Sequence, residues 1–260
     1  MRLSKFLATT VAVAAVFVAN SCATADIFEV EFENLQSAGG FSFTPAWVGF
    51  HDGTFDTHDV GTTASGSFEA LAELGDTSGI AGDFTNAGFL ATDQGVLGQP
   101  AGFGGAPIVE PGEIASMLFN TNENFFSYAS MIIPSNDNFI ANGNPMAFDV
   151  STLAPGQSLT FDVVVLYDAG TEQNDPDDGA AFSATGGGAA GGTDENSVIT
   201  VQNIAAFNAV FGGTATPNGD VTENLSNPIA RFTITAAVPE PGSAAVLGVF
   251  ALAGFLRRRR

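Results

Sequence analysis

Phe28, Val30 and Phe32 alternate with Glu29, Glu31 and Glu33. This period of two sets three apolar side chains on one face of an extended segment and three carboxylates on the other. A helix would scatter the same six residues around its circumference, so the segment constrains the chain to a half-buried strand. Residues 158 to 166 repeat the pattern with Leu159, Phe161, Val163 and Val165 inward, while Val164 and Leu166 make the other face unusually apolar. Further strands are expected at 46 to 51, 125 to 133, 198 to 201 and 229 to 235, separated by clusters of Gly, Pro, Asn and Asp. Strands without intervening helices point to an all-β chain, an antiparallel two-sheet β-sandwich of about eight strands. One short helix is expected over 65 to 74. There Phe68, Leu71 and Leu74 recur every third residue, Thr63 or Ser65 can cap the start and Gly75 follows the end. Such a helix would plug one end of the sandwich. Residues 180 to 196, rich in Gly, Ala and Ser, read as a flexible surface loop.

The core must carry the stability alone. Cys22, the one cysteine among 260 residues, lies in an apolar leader, which leaves the body without a disulfide or a thiolate metal site, whereas 24 Phe are available to fill an interior. Charge is lopsided: 28 acidic side chains face 7 basic ones, a net of −21. Arg2, Lys5 and Arg257 to Arg260 sit at the two ends, so between residues 26 and 238 Arg231 is the single cation. That distribution excludes a nucleic-acid binder working through phosphate contacts, a Schiff-base lysine and a lysine-bearing phosphate loop. The self-repulsion calls for counterions or bound cations, with calcium the obvious candidate.

Residues 1 to 25 read as a signal peptide. Arg2 and Lys5 supply the positive start, residues 6 to 19 the apolar stretch, and Ala23-Thr24-Ala25 a small-residue site with cleavage after Ala25. The alternatives are an uncleaved anchor or a lipid on Cys22, and Ala19-Asn20-Ser21 lacks the large aliphatic residue usual before a lipidated cysteine. At the other end, Val238-Pro239-Glu240-Pro241 precedes an apolar run from Ala244 to Leu256 and the four closing arginines. A rigid turn, a short membrane-inserting transmembrane helix and a cationic stop in this order resemble the bacterial PEP-CTERM sorting signal. The resemblance implies an exosortase-type processing enzyme as partner, transient residence of residues 238 to 260 in the inner membrane, and export of a bacterial protein to the cell surface or an exopolysaccharide matrix. A plain C-terminal anchor is the alternative. The expected domain is residues 26 to 237.

Two segments carry acids on tight turns after strands: residues 131 to 139, with Asp137 beyond Pro134, and residues 166 to 172, with Asp168 and Glu172 about Gly170. Asp175, Asp177 and Asp178 follow the second. Calcium takes six to eight oxygens, and loops between rigid strands suit it; a solvated acidic turn is the plain alternative. His51 and His58 lie seven apart without a recognised ligand spacing and read as structural or solvent-facing, although Asp52 and Asp56 make a metal cluster there conceivable. No GxSxG elbow is present. A hydrolase using two carboxylates on a polysaccharide is the competing functional class.

Five blocks occur in the order of the spondin domain, the module of F-spondin that is also found in bacterial secreted proteins. They are Phe43-Thr44-Pro45 with Val48-Gly49-Phe50-His51, Val60-Gly61 with Ala64-Ser65, the run 71 to 76, the run 128 to 137, and Asp168-Ala169-Gly170-Thr171-Glu172. The chain resembles that family over roughly residues 26 to 237. The resemblance implies a calcium-binding β-sandwich, non-enzymatic, serving adhesion or attachment to extracellular matrix, with Asp137, Asp168 and Glu172 as the metal ligands for Ca2+ and no catalytic residues. Asn136 and Asn138 around the first Asp, Glu172 in place of Asp, and the acidic insertion 175 to 178 depart from the family pattern.

Overall fold

A computed structural model describes residues 26–98, 107–181, 191–212 and 228–238. The expected signal peptide and most of the sorting segment, from Pro239 onward, lie outside the described residues. The described chain folds as two antiparallel sheets with three short helices. The strands in chain order are β1 (Asp26–Asn34), β2 (Ser42–Phe43), β3 (Ala46–His51), β4 (Gln94–Leu97), β5 (Ile114–Thr121), β6 (Phe125–Ile133), β7 (Asn138–Ala141), β8 (Ser158–Val163), β9 (Tyr167–Asp168), β10 (Thr200–Val201) and β11 (Ala230–Ala236). The four-stranded sheet runs β5-β1-β11-β8, and the seven-stranded sheet runs β10-β9-β7-β6-β3-β4 with β2 paired to β6.

The alternation in β1 holds: Phe28, Val30 and Phe32 are buried, and the pairing of Phe32 with Phe232 of β11 stacks the two rings at 4.7 Å. Rings also meet between the sheets. Phe28 stacks on Phe50 of β3, Phe32 sets an edge against Phe43 of β2, and Tyr128 of β6 packs 4.5 Å from Phe232. This layer of aromatic and β-branched side chains is the main core and makes the architecture a β-sandwich.

Four expectations need correction. The strands number eleven among the described residues rather than about eight, because the seven-stranded sheet recruits the two-residue elements β2, β9 and β10. The helices among the described residues number three rather than one. The first, α1 (Gly66–Leu74), has the expected Ser65 cap accepting from Phe68 N at 3.2 Å and Gly75 in the left-handed region at φ 66°. The others, α2 (Ser78–Asn86) and α3 (Ile204–Phe211), gave little sequence signal: α2 contains two glycines and buries only Ile80 and Phe84. Nor does α1 plug an end. It lies with α2 over the outer face of the seven-stranded sheet, where Phe68 meets Phe139, and Phe84 meets Trp47. The third layer explains why β3 and β7 are buried throughout and β6 nearly so, and why 125 to 133 reads as a continuous apolar run rather than an alternating one. Finally, the expected strand over 158 to 166 stops at Val163, and the chain crosses to the other sheet before Tyr167. Leu166 is therefore buried by the crossing and belongs to no outer face.

Candidate functional site

Asp137 and Asp168 come together at one end of the seven-stranded sheet. The turn after β6 is fixed by Ser135, whose hydroxyl donates to Ile132 O at 2.7 Å and accepts from Asn138 N at 3.2 Å. The chain then enters β7, in which Asn138 pairs with Asp168 of β9. The backbone N–H of Ala169 donates to Asp137 O at 3.2 Å, tying the two acidic turns directly.

The Asp168 turn needs its glycine. Gly170 sits at φ 68°, and a Cβ there would lie 2.7 Å from Val198 O. The freed N–H of Gly170 donates to Asp168 Oδ1 at 2.8 Å. The other oxygen, Oδ2, accepts from Gln202 Nε2 at 2.9 Å and from Asn174 Nδ2. Gln202 and Asn174 also bind the Asn138 amide, at 2.7 and 2.6 Å, so three amide side chains brace one carboxylate. Sequence reasoning passed over Gln202 because it stands 34 residues from Asp168 and carries no charge. Asn138, which departs from the family pattern, is part of this brace.

Asp137 is wholly buried. Its Oδ2 accepts from Thr171 N at 2.8 Å, Glu172 N at 3.1 Å and Thr171 Oγ1 at 3.2 Å. Its Oδ1 is buried and has no hydrogen-bond partner among the described residues. Burial, and then the neighbouring charge of Asp168, push the Asp137 carboxyl up to about 7 despite the three donors on Oδ2.

Glu172 is held differently. Its backbone N–H serves Asp137, but its carboxylate turns away: Oε1 accepts from Gly192 N at 2.9 Å, and the charges felt there are those of Asp178 and Asp194. Burial raises its pKa, opposed by the Gly192 amide and by Asn136. Among the described residues no three His, Cys, Asp or Glu side chains converge in a group able to hold a metal ion. The structure thus brings Asp137 and Asp168 together and sends the Glu172 carboxylate toward residues 191 to 194. Two loops are tied down by this arrangement. The acidic insertion is anchored by Asn136, which donates to Asp178 O at 2.7 Å and accepts from Asp175 N at 3.0 Å. Of the expected flexible loop over 180 to 196, residues 182 to 190 lie outside the described residues; Ala180 and Ala181 are buried and Asp194 bridges to Glu172. Glu73 on α1 is an acid that the sequence did not single out. Burial raises its pKa.

The histidines are structural. His51 Nδ1 accepts from Gly53 N at 3.0 Å, which leaves Nε2–H to donate to Ser127 Oγ at 2.9 Å. His58 lies among Phe68, Phe139 and Tyr167. Burial lowers both to about 4. Asp52 is exposed and caps its own turn through Thr54.

Compared with known proteins, the chain matches no family model and no curated protein.

Proposed function

We propose that the domain is a secreted, non-enzymatic, spondin-type β-sandwich that binds one calcium ion at the Asp137/Asp168 corner and serves in attachment at a bacterial cell surface or matrix. The observation that carries the calcium reading is Asp137 Oδ1, a buried carboxylate oxygen with no hydrogen offered to it, beside a second carboxylate. Asp137 has its other oxygen satisfied by backbone donors, and both oxygens of Asp168 accept hydrogen bonds from neighbouring amides. An oxygen-seeking cation would satisfy the remaining charge and remove the repulsion between the pair. The donor set is all oxygen and carboxylate-rich, which suits a hard cation. Asp137 and Asp168 would hold it, and Glu172 would join them as third carboxylate only by releasing Gly192. Calcium, when bound, supplies charge neutralisation here, and the residues supply rigidity: the amide brace on Asp168 and the Ser135 turn keep both carboxylates in place. The extracellular setting rests on the 1 to 25 leader and the 238 to 260 tail. The test is thermal unfolding of the protein in chelator and in millimolar calcium. Binding to the folded state alone adds about 2.7 kcal/mol at a hundredfold excess over Kd, so the melting temperature should rise with calcium and magnesium should not substitute. Coincident curves would reject the site.

A further inference from the structure

A cleft of about 490 Å³ opens where β8, the edge of the four-stranded sheet, parts from β7 and β9 of the other. Its size falls within the roughly 300–1,000 Å³ of small-ligand sites. Both tyrosines of the chain, Tyr128 and Tyr167, line it, with His58, Asn142, Asp162 and the valines at 163 to 165.

The chemistry of the walls narrows what can enter. Tyr128 is 5% exposed, its ring packed on Phe232 and Phe161. Tyr167, on β9, lines the same cleft. His58 is buried behind this wall. Thr57 Oγ1 spends its one hydrogen on Asn142 O at 2.7 Å and therefore accepts from His58 Nδ1 at 3.1 Å, which leaves Nε2 a buried, unpartnered lone pair. That edge lies against Gly143, where a Cβ would come within 3.4 Å of it.

The lining disfavours two ligand classes. An anion would meet Asp59 on a chain of net charge −21. A cation finds no open aromatic cage, because the Tyr128 ring is covered by Phe232, Tyr167 stacks on Phe139 and His58 stacks on Phe68. Of the two carboxylates on the lining, Asp162 is paired with Arg231 at 2.7 Å and Asp59 is exposed to water. What remains is an uncharged molecule with hydroxyls that donate and accept, and an apolar flank for the valines. We propose that this cleft binds a neutral sugar residue, its hydroxyls on the Tyr128 and Tyr167 phenols and its carbon-bound hydrogens on the 163 to 165 segment. The proposal gives the attachment reading a ligand class and a location apart from the calcium corner.

Saturation-transfer NMR on the whole protein, with glucose, galactose, mannose and cellobiose as probes and glucuronate and choline as controls, tests it. At least one neutral sugar should bind with neither control matching it. Tyr128→Phe and Tyr167→Phe, which keep the rings and so the packing, should each weaken binding about 2- to 12-fold, the worth of one hydrogen bond. Binding should persist in chelator and in Asp137→Asn, so failure of the calcium reading leaves this one standing and the reverse. No neutral sugar bound by the wild type, a control bound as tightly as the best sugar, or phenylalanine variants that bind like the wild type would each overturn the proposal.

Discussion

Replacing Asp137 by Asn should stabilise the calcium-free protein while abolishing its response to calcium. The carboxyl rises from an ordinary 3.8 to about 7 in the folded chain because burial and Asp168 disfavour its charge. A raised acid holds its proton longer folded than unfolded, so between about pH 4 and 7 the native state binds more protons and stability falls as pH rises. Above pH 7 the whole deficit is present. At about 1.36 kcal/mol for each tenfold change in proton affinity, a rise from 3.8 to about 7 is worth about 4 kcal/mol. Relaxation of the site lowers the expected effect to about 2–4 kcal/mol. Asn keeps an oxygen for the three donors on Oδ2 and turns an N–H toward the bare Oδ1 position, so the deficit disappears. At pH 8 in chelator the variant should melt roughly 5–15 °C above the wild type, with the gap closing toward pH 4. Taking the difference between the two proteins matters, because His51 and His58 act in the opposite direction. Lowered to about 4 by burial, they make stability rise with pH from about 4 to 6.5 in both proteins. Differential scanning calorimetry across pH 4.5 to 8 reads the gap, with the sole tryptophan, Trp47, buried between Phe55 and Phe84, as an independent optical probe. A variant less stable than the wild type at pH 8 in chelator would refute the reasoning, since Asp137 would then be contributing as a satisfied charge.

Other expectations can be checked with the same calorimetry. Glu172→Gln, which keeps an acceptor for Gly192, should reduce the calcium increment much less than Asp168→Asn does, and an equal loss would show the glutamate to be a full ligand. Phe32→Ala, removing a fully buried ring stacked on Phe232 and edged by Phe43, should cost about 3–5 kcal/mol. Gly75→Ala should destabilise by about 1–2 kcal/mol or more, because it combines φ 66° with a Cβ placed 2.6 Å from Thr44 Cγ2.

The sandwich was legible wherever one face of a strand meets water. The Phe28 to Glu33 alternation gave β1 to within a few residues, and Ser65 with Gly75 gave both ends of α1. Segments buried on both faces hide their orientation, so the helical layer over β3, β6 and β7 left only continuous apolar runs in the sequence. The two acidic turns of the candidate site were legible as acids after strands, since Gly170 and the turn spacing are local features. Its bracing was not: Asn138, Asn174 and Gln202 are uncharged, separated along the chain, and united only by the pairing of β9 with β7 and β10. Spacing also could not show that the Glu172 side chain turns to Gly192, because a carboxylate takes the nearest free amide irrespective of its place in a motif.

The most direct measurement of the central claim is a calorimetric titration of calcium into the wild-type protein at pH 7, repeated in two buffers of different ionisation enthalpy. A carboxyl near half protonation in the free protein must lose its proton to accept the ion, so one calcium should bind with release of roughly half a proton, and Asp137→Asn should show neither. No calcium heat would mean that a proton and not an ion is what this buried pair is built to hold, and binding with the same heat in both buffers would mean that the ion binds without displacing the Asp137 proton.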